Sequence, residues 1–542
     1  MTFRHGLSAA LLLSLCSCAS EGPAGPGIRS AGLAAETRFL SHDLFEGRGV
    51  ATKGEQLTTE YLAAQLALAG AQPAGDAGGY FQSVPLVEVK AQPDTQLVVA
   101  GRTLRPLDEY VGSNELQTGR EVLDAEVVFV GRGITAPEFD WDDYKGTDVT
   151  GKLLVLFTNE PSSEDEAFFG GRALTYYGRW TFKYEEAARR GASGVLIVHT
   201  DDTAGYPWGV VRNSWSGPQL YVEREPDEPK LAFAGWLTSE AALAMFESSP
   251  ATAGRSLDEL LAEANRPEFQ PIALGVQAQA DVRSSIVPVE TRNVVGLFPG
   301  SDAGLADQAV LYTAHWDHLG TVEGAEDTIY NGAVDNATGC SVLLAIAREI
   351  GASARRPKRS LLFAFVGAEE SGLLGSAYYA ANPAVPMGKT AVNLNYDGLF
   401  PFGTTRDISL PGHERTTLLQ VVVDLAEQSG LEITPDAHPE QGYYYRSDQF
   451  SLAKRGVPAF SIRSGSRYVG RPAGWGEERV NQYRQQHYHQ PSDEFREDWD
   501  FSGIADLARF GLEIGRIVGD QADLPTWAPG DEFLAAREAS LR

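Results

Sequence analysis

The C-terminal half of this sequence predicts an α/β fold, a mixed and mainly parallel β-sheet covered by helices on both faces, with a β-rich insert set before it. Three observations carry that expectation. From Asn293 onward the apolar runs NVVGLF, AVLYTA, SLLFAFV, AVNLNY and VPAFSI succeed one another, and strands buried on both faces read as continuous runs of this kind. Helical stretches lie between several of them, among them Cys340 to Ile350, Thr416 to Ser429 and Ile504 to Val518, the alternation expected of helices packed on a sheet. Between about Val122 and Pro271 the texture changes to short runs separated by turns, AEVVFVGRGI, GKLLVLF and SGVLIVHT, with a helical EEAARRGA before the last. That stretch reads as a separate, inserted domain.

Taken in order, residues 1–18 read MTFRHGLSAALLLSLCSC, with Arg4 near the start, an apolar stretch from Leu7 to Leu15 and then small residues with cysteine. This is the layout of a secretory signal peptide. Residues 19–30 form a flexible tether without periodicity, beginning ASEGPAGPG. From Glu55 to Ala69 the residues Leu57, Tyr61, Leu62, Leu66 and Leu68 recur at helical spacing, and Gly70 comes next as a stop. That helix falls in the N-terminal part of the main domain, residues 31–118. The insert takes residues 119–275, the main domain resumes over 276–525, and 526–542 form a C-terminal tail.

Composition narrows the function classes. A chain of 542 residues has room for two to four domains at about 100–200 residues each, so a small stapled scaffold is excluded. With 45 Lys and Arg against 73 Asp and Glu the net charge is −28, which repels phosphate backbones and argues against a nucleic-acid reader. No apolar run approaches the roughly 20 residues that cross a bilayer. Cysteine occurs only as Cys16, Cys18 and Cys340, so no intrachain disulfide framework is available to the folded part. Cys340 sits on the apolar side of a helix and reads as a small core residue.

In open α/β sheets ligands bind beyond the carboxyl ends of the strands, and polar residues stand at those ends here. His315-Trp316-Asp317 comes after the second run, Gly367-Ala368-Glu369-Glu370 after the third and Asp397 after the fourth. Val334-Asp335-Asn336 precedes a helix, and Tyr488-His489-Gln490-Pro491-Ser492-Asp493 comes late in the chain. Imidazole and carboxylate are zinc ligands. Several buried carboxylates would repel one another unless cations neutralised them, and two divalent ions about 3.5–4 Å apart would do so while holding both the attacking and the departing oxygen. Glu369 and Glu370 are neighbours able to divide the roles of ligand and general base. Asp317, two residues beyond His315, is placed to orient its imidazole. A lone H-x-D or Glu-Glu pair is usually a solvated surface feature; five spaced elements in this order are a pattern. His318, His487, His199, His42, His413 and His438 read as ordinary surface or core histidines. The run Tyr443-Tyr444-Tyr445 either lines a pocket or packs.

These motifs, H-W-D at 315–317, V-D-N-A-T-G at 334–339, G-A-E-E-S-G-L-L-G-S at 367–376, N-Y-D at 395–397 and Y-H-Q-P-S-D at 488–493, resemble those of the co-catalytic zinc exopeptidases of the bacterial leucyl aminopeptidase type. The resemblance implies the zinc-exopeptidase fold and two zinc ions per chain, with Asp335 bridging. It implies one zinc completed by His315 and Asp397 and the other by Glu370 and His489. It further implies Glu369 as general base and proton shuttle, Asp317 as partner of His315, and Tyr488 as hydrogen-bond donor to the tetrahedral oxyanion. The insert, with EVVFVGRGITAPEFDWDDYKGTDVTGKLLVLF, is similar to a protease-associated domain. RSDQF at 446–450 resembles the family's Ser-Asp segment, with Gln449 where a histidine is frequent. Leu15-Cys16-Ser17-Cys18 resembles a bacterial lipobox, in which Cys18 would carry the lipid, since Leu15 is too bulky to precede a cleavage at Cys16.

The implied activity is that of an exported aminopeptidase acting on peptide substrates, either held at the bacterial cell envelope, periplasmic or outer-membrane anchored, by an N-terminal lipid alone or, after simple cleavage of the signal, secreted. Two rivals stand beside it. A glutaminyl cyclase-like acyltransferase would use one zinc and lack the insert. A non-catalytic receptor of the same architecture would have lost ligands, whereas all five ligand positions and Glu369 are filled here.

Overall fold

The computed structural model describes residues 27–542 apart from 162, 166–167, 205–206, 323, 325–326 and 437. The signal peptide and Cys18, and most of the tether, lie outside the described residues. Four parallel strands form the centre of the main sheet, in the order Ala459–Ser461, Thr390–Asn395, Ala309–His315 and Ser360–Val366. Beyond Ser360–Val366 the sheet turns antiparallel, through Ile272–Phe298, then Phe81–Ala91 and Gln219–Val222.

Side chains of a strand alternate between its two faces, and here both faces are cores. Val310, Tyr312 and Ala314, with Leu361, Phe363 and Phe365, pack under the helices Ser30–Leu40, Lys53–Leu68, Thr338–Ala352 and Ser502–Asp520. Ala309 and Leu311, with Leu362, Ala364 and Val366, pack on the other face with Tyr379 and Ala380 of the helix Leu374–Ala381 and with Leu452. This is why the strands read as unbroken apolar runs. The helix expected from Glu55 to Ala69 forms as Lys53–Leu68, with Thr52 accepting from Glu55 N as its cap.

A second sheet has the order Ile272–Phe298, Arg120–Phe129, Leu153–Phe157, Gly194–Val198, Phe233–Leu237, Tyr110–Ser113. It is more than a β-rich layer. Arg120–Phe129, Leu153–Phe157, Gly194–Val198 and Phe233–Leu237 run parallel, and the helices Trp180–Arg189 and Ser239–Glu247 cover opposite faces. One strand serves both sheets: Ile272–Phe298 pairs through residues 272–283 with Arg120–Phe129 and through residues 284–294 with Phe81–Ala91.

Residues 526–542 dock rather than trail. Trp527 is buried, and the fully buried Arg537 donates to the carbonyls of Met387, Thr390 and Pro525. Among the described residues no helix is long and apolar enough to cross a membrane.

Candidate metal centre

Parallel strands deliver their C-terminal ends to one rim. His315 is the last residue of its strand and stands in register with Val366, three residues before Glu369; Asp397 lies two residues past Asn395 on the other side. The chain must then turn sharply. Ala368 takes a φ of 54°, and Gly375 packs so close to the loop that a Cβ there would lie 2.2 Å from Gly367 O. Asp335 sits in the irregular turn Ala333–Ala337 that leads into the helix Thr338–Ala352. His489 comes after the helix Trp475–Gln486, with a φ of 56°.

These residues converge. His315 Nε2 lies 3.2 Å from Asp335 Oδ1 and 3.2 Å from Asp397 Oδ1. His489 Nε2 lies 3.4 Å from Asp335 Oδ2 and 3.0 Å from Glu370 Oε2. The two oxygens of Asp335 thus face two different imidazoles. Glu369 joins the same group, with one ligand atom each of His315, Glu369 and Glu370 within 4.8 Å of one another. Tyr488 is half exposed and stacks its ring on His489 at 3.9 Å between centroids.

Asp317 does something other than the sequence suggested. The His315 ring nitrogen Nδ1 is 3.2 Å from the main-chain oxygen of Asp317 and 3.8 Å from its carboxylate. The carboxylate instead accepts from the main-chain N–H groups of Glu369 at 3.2 Å and Glu370 at 3.4 Å, so Asp317 orients the imidazole with its backbone and the two glutamates with its side chain.

His318, read in the sequence as an ordinary histidine, belongs to the site. It is buried, its Nδ1 is 2.6 Å from Glu370 Oε1, and its Nε2 has no hydrogen-bond partner. One ligand atom each of His318, Asp335 and Glu370 lie within 4.8 Å. The sequence signal for it is slight, a place next to Asp317 and three residues past His315, with its partner Glu370 52 positions away. Asp448 is a second buried carboxyl beside the cluster, pushed up to about 7 by burial against the opposing charge of His315.

Burial raises the proton affinity of Asp335, Glu369 and Glu370, and the imidazoles oppose it. For Asp335 the bonds with His315 and His489 outweigh burial and hold it well below the usual carboxylate range. Burial and the neighbouring Asp335 would raise Glu370, yet His318 and His489 hold it to about 2. No such bond rescues Glu369, and burial pushes it well above the ordinary range. Burial disfavours charge on His489, but Asp335 and Glu370 drive it up to about 10. Imidazole nitrogens and carboxylate oxygens thus face one another in a buried cluster, the donor set that fits a divalent cation such as zinc.

A second layer fixes the donors. Asp493, fully buried, accepts from the N–H groups of Val334 and Asp335, both at 3.1 Å, and from Tyr483 Oη at 3.0 Å. Ser447 Oγ donates to Asp397 Oδ2 at 2.5 Å. Gln449 bonds Asn395 Nδ2 and Tyr444 O, and Tyr444 and Tyr445 pack in the core while Tyr443 is half-buried. Cys340 is buried and donates to His315 O. Arg48, from the N-terminal segment, is fully buried and donates to the carbonyls of Leu40, Trp316, Asn331, Gly332 and Asp335.

Residues 293–509 match the model of Peptidase family M28, and every donor named above except Arg48 falls within them. Among curated proteins the chain is similar to the mouse protein named Aminopeptidase NAALADL1, at 28% identity over 48% of this chain and 43% of that one. It is also similar to Leupeptin-inactivating enzyme 1 of Streptomyces exfoliatus, at 27% identity over 33% of this chain and 36% of that one. The chain spans less than half the length of these curated relatives. A solved aminopeptidase from Aneurinibacillus sp. strain AM-1 aligns over 92% of this chain and 95% of its own, with 19% identity and a TM-score of 0.49.

Proposed function

We propose that this chain, with its peptidase family M28 region at residues 293–509, is a zinc-dependent aminopeptidase that hydrolyses the first peptide bond of peptide substrates. The observation that carries the reading is Asp335, whose two oxygens lie against His315 and His489 on opposite sides. One zinc would be held by His315, Asp335 and Asp397, and a second by Asp335, Glu370 and His489. Bound there, the two ions supply Lewis acidity to the scissile carbonyl and make the attacking water more acidic.

The chain's own residues do the rest. Glu369 takes the proton of the attacking water and returns it to the leaving amine. Tyr488, lying on His489, donates its phenol O–H to the oxyanion of the tetrahedral intermediate. Asp317 keeps Glu369 and Glu370 in place through their N–H groups. The insert is of the protease-associated type, and residues 1–18 export the protein and anchor it through a lipid on Cys18.

The test is metal content and hydrolysis of aminoacyl chromogenic substrates, with and without chelator, on protein lacking residues 1–18. About two zinc per chain and chelator-sensitive release of the N-terminal residue is the expected result. One zinc with ring closure of an N-terminal glutamine peptide would make the protein a cyclase, and absence of bound metal would make it a binding protein.

A further inference from the structure

The geometry points to a carboxylate-binding site at the rim of the metal cluster, made by Arg446 and Arg484 seated together against Tyr443, through which a peptide substrate is held by a carboxylate on its leaving portion. The inference rests on the aminopeptidase reading and deepens it. In a chain of net charge −28 an arginine readily finds an acidic partner: Arg415 binds Asp531 and Glu532, and Arg348 binds Glu36. Arg446 and Arg484 are exposed, and neither makes an ion pair among the described residues. Both guanidinium groups turn instead to one ring, at 5.4 Å and 4.8 Å from the centroid of Tyr443.

Their places in the chain bring them to the site. Arg446 immediately precedes Ser447, the hydroxyl that bonds Asp397, and adjacent Cα atoms are about 3.8 Å apart. Arg484 is in the last turn of the helix Trp475–Gln486. Past it the chain folds back, with Tyr488 N donating to Tyr483 O at 3.0 Å, and delivers Tyr488 and His489. The insert packs against the turn that carries the ring. Leu174 N donates to Pro439 O at 3.0 Å, and Gly442, at φ 59°, leaves room for Leu174 where a Cβ would lie 2.6 Å from its Cδ2. Two guanidinium groups gathered at one ring, neither in an ion pair among the described residues, offer planar N–H forks of the kind that receives a carboxylate in charge-assisted hydrogen bonds. A free peptide C-terminus and an acidic side chain both offer that group.

Four peptides separate the sources: Leu-Ala against Leu-Ala-amide for the C-terminus, and Leu-Glu-amide against Leu-Gln-amide for the side chain. They would be compared by kcat/KM and by titration calorimetry on the zinc-loaded full protein and on the Arg446→Gln, Arg484→Gln and double variants. At least one acid should be favoured over its amide by about tenfold, mainly through KM, with the ratio falling to about one in the double variant. Because each variant is judged by its own ratio, a general loss of activity does not imitate the effect. Equal hydrolysis of acid and amide by the unaltered protein, or a preference the double variant keeps, overturns the carboxylate site and leaves the peptidase standing. Tighter binding of the acid without hydrolysis of either supports the site and overturns the peptidase, and equal binding without hydrolysis overturns both.

Discussion

The guanidinium of Arg48 donates to the main-chain oxygen of Asp335 at 3.3 Å, and the same side chain holds the carbonyl of Trp316 at 2.8 Å. Asp335 and the two residues that flank Trp316 are thereby referenced to one fork that comes from outside the family-matching region. Gly332, at φ 58°, is the packing condition for this clamp, since a Cβ there would lie 2.7 Å from Arg48 Nη2.

Arg48→Met should therefore cost about 3 kcal/mol, because it strands buried carbonyls while keeping most of the side-chain volume. Arg48→Lys should cost nearly as much, since a single ammonium cannot reproduce the planar fork. The first unfolding transition in urea is the measurement. A midpoint unchanged in both variants would mean that water replaces the clamp without loss.

Glu369→Gln should lower kcat by about 100-fold or more while zinc content stays at its original level, because only the proton acceptor is removed. Asp335→Asn should do the reverse and lose metal first. Metal analysis beside single-substrate kinetics tells them apart, and near-normal turnover in Glu369→Gln would remove Glu369 from the role of base.

His318→Ala should weaken zinc binding by about 10–100-fold, as expected when the group that orients a ligating carboxylate is deleted. Competition against a fluorescent chelator reads this independently of turnover. Unaltered zinc affinity would leave His318 as packing alone.

Glu55 is buried in the N-terminal segment, and burial pushes its carboxyl up to about 7. The folded state prefers the proton, so the stability tied to this group is complete below about pH 4.5 and is lost as pH rises toward about 7. Glu55→Gln keeps the acceptor for Ala51 N and removes the titration, and should flatten the fall in thermal stability across that window by on the order of 2 kcal/mol. Parallel melting profiles for the two proteins from pH 4.5 to pH 7 would contradict the assignment.

Much of the site could be read from the residues because strand ends announce themselves: an unbroken apolar run such as SLLFAFV stops at Val366, and the next polar residues are Glu369 and Glu370. Asp335, Asp397 and His489 were legible for the same reason, each standing at a break in a regular pattern. His318 was not, because its neighbour Glu370 is 52 positions away and the loop between strand and turn has no period to guide the eye. Arg48 was illegible too, since an arginine beside glycines reads as a solvated charge until the carbonyls it satisfies are brought around it. The double role of Ile272–Phe298 was hidden by its composition, in which Gln, Ser, Arg and Pro interrupt what is one strand.

That strand also decides how the two halves of the molecule can move. A domain joined by loops swings on them, but here the second sheet and the main sheet hang on one strand, whose pairing passes without a break from Arg283 to Ser284 and carries a register shift between Ala273 and Gln277. The insert behaves as a cantilever whose angle is set by strand twist, and its hold on the turn before Tyr443 is as stiff as that beam. Substrate entry then depends on the side chains at the rim, and amide exchange along residues 272–298 should proceed in one cooperative unit spanning both sheets.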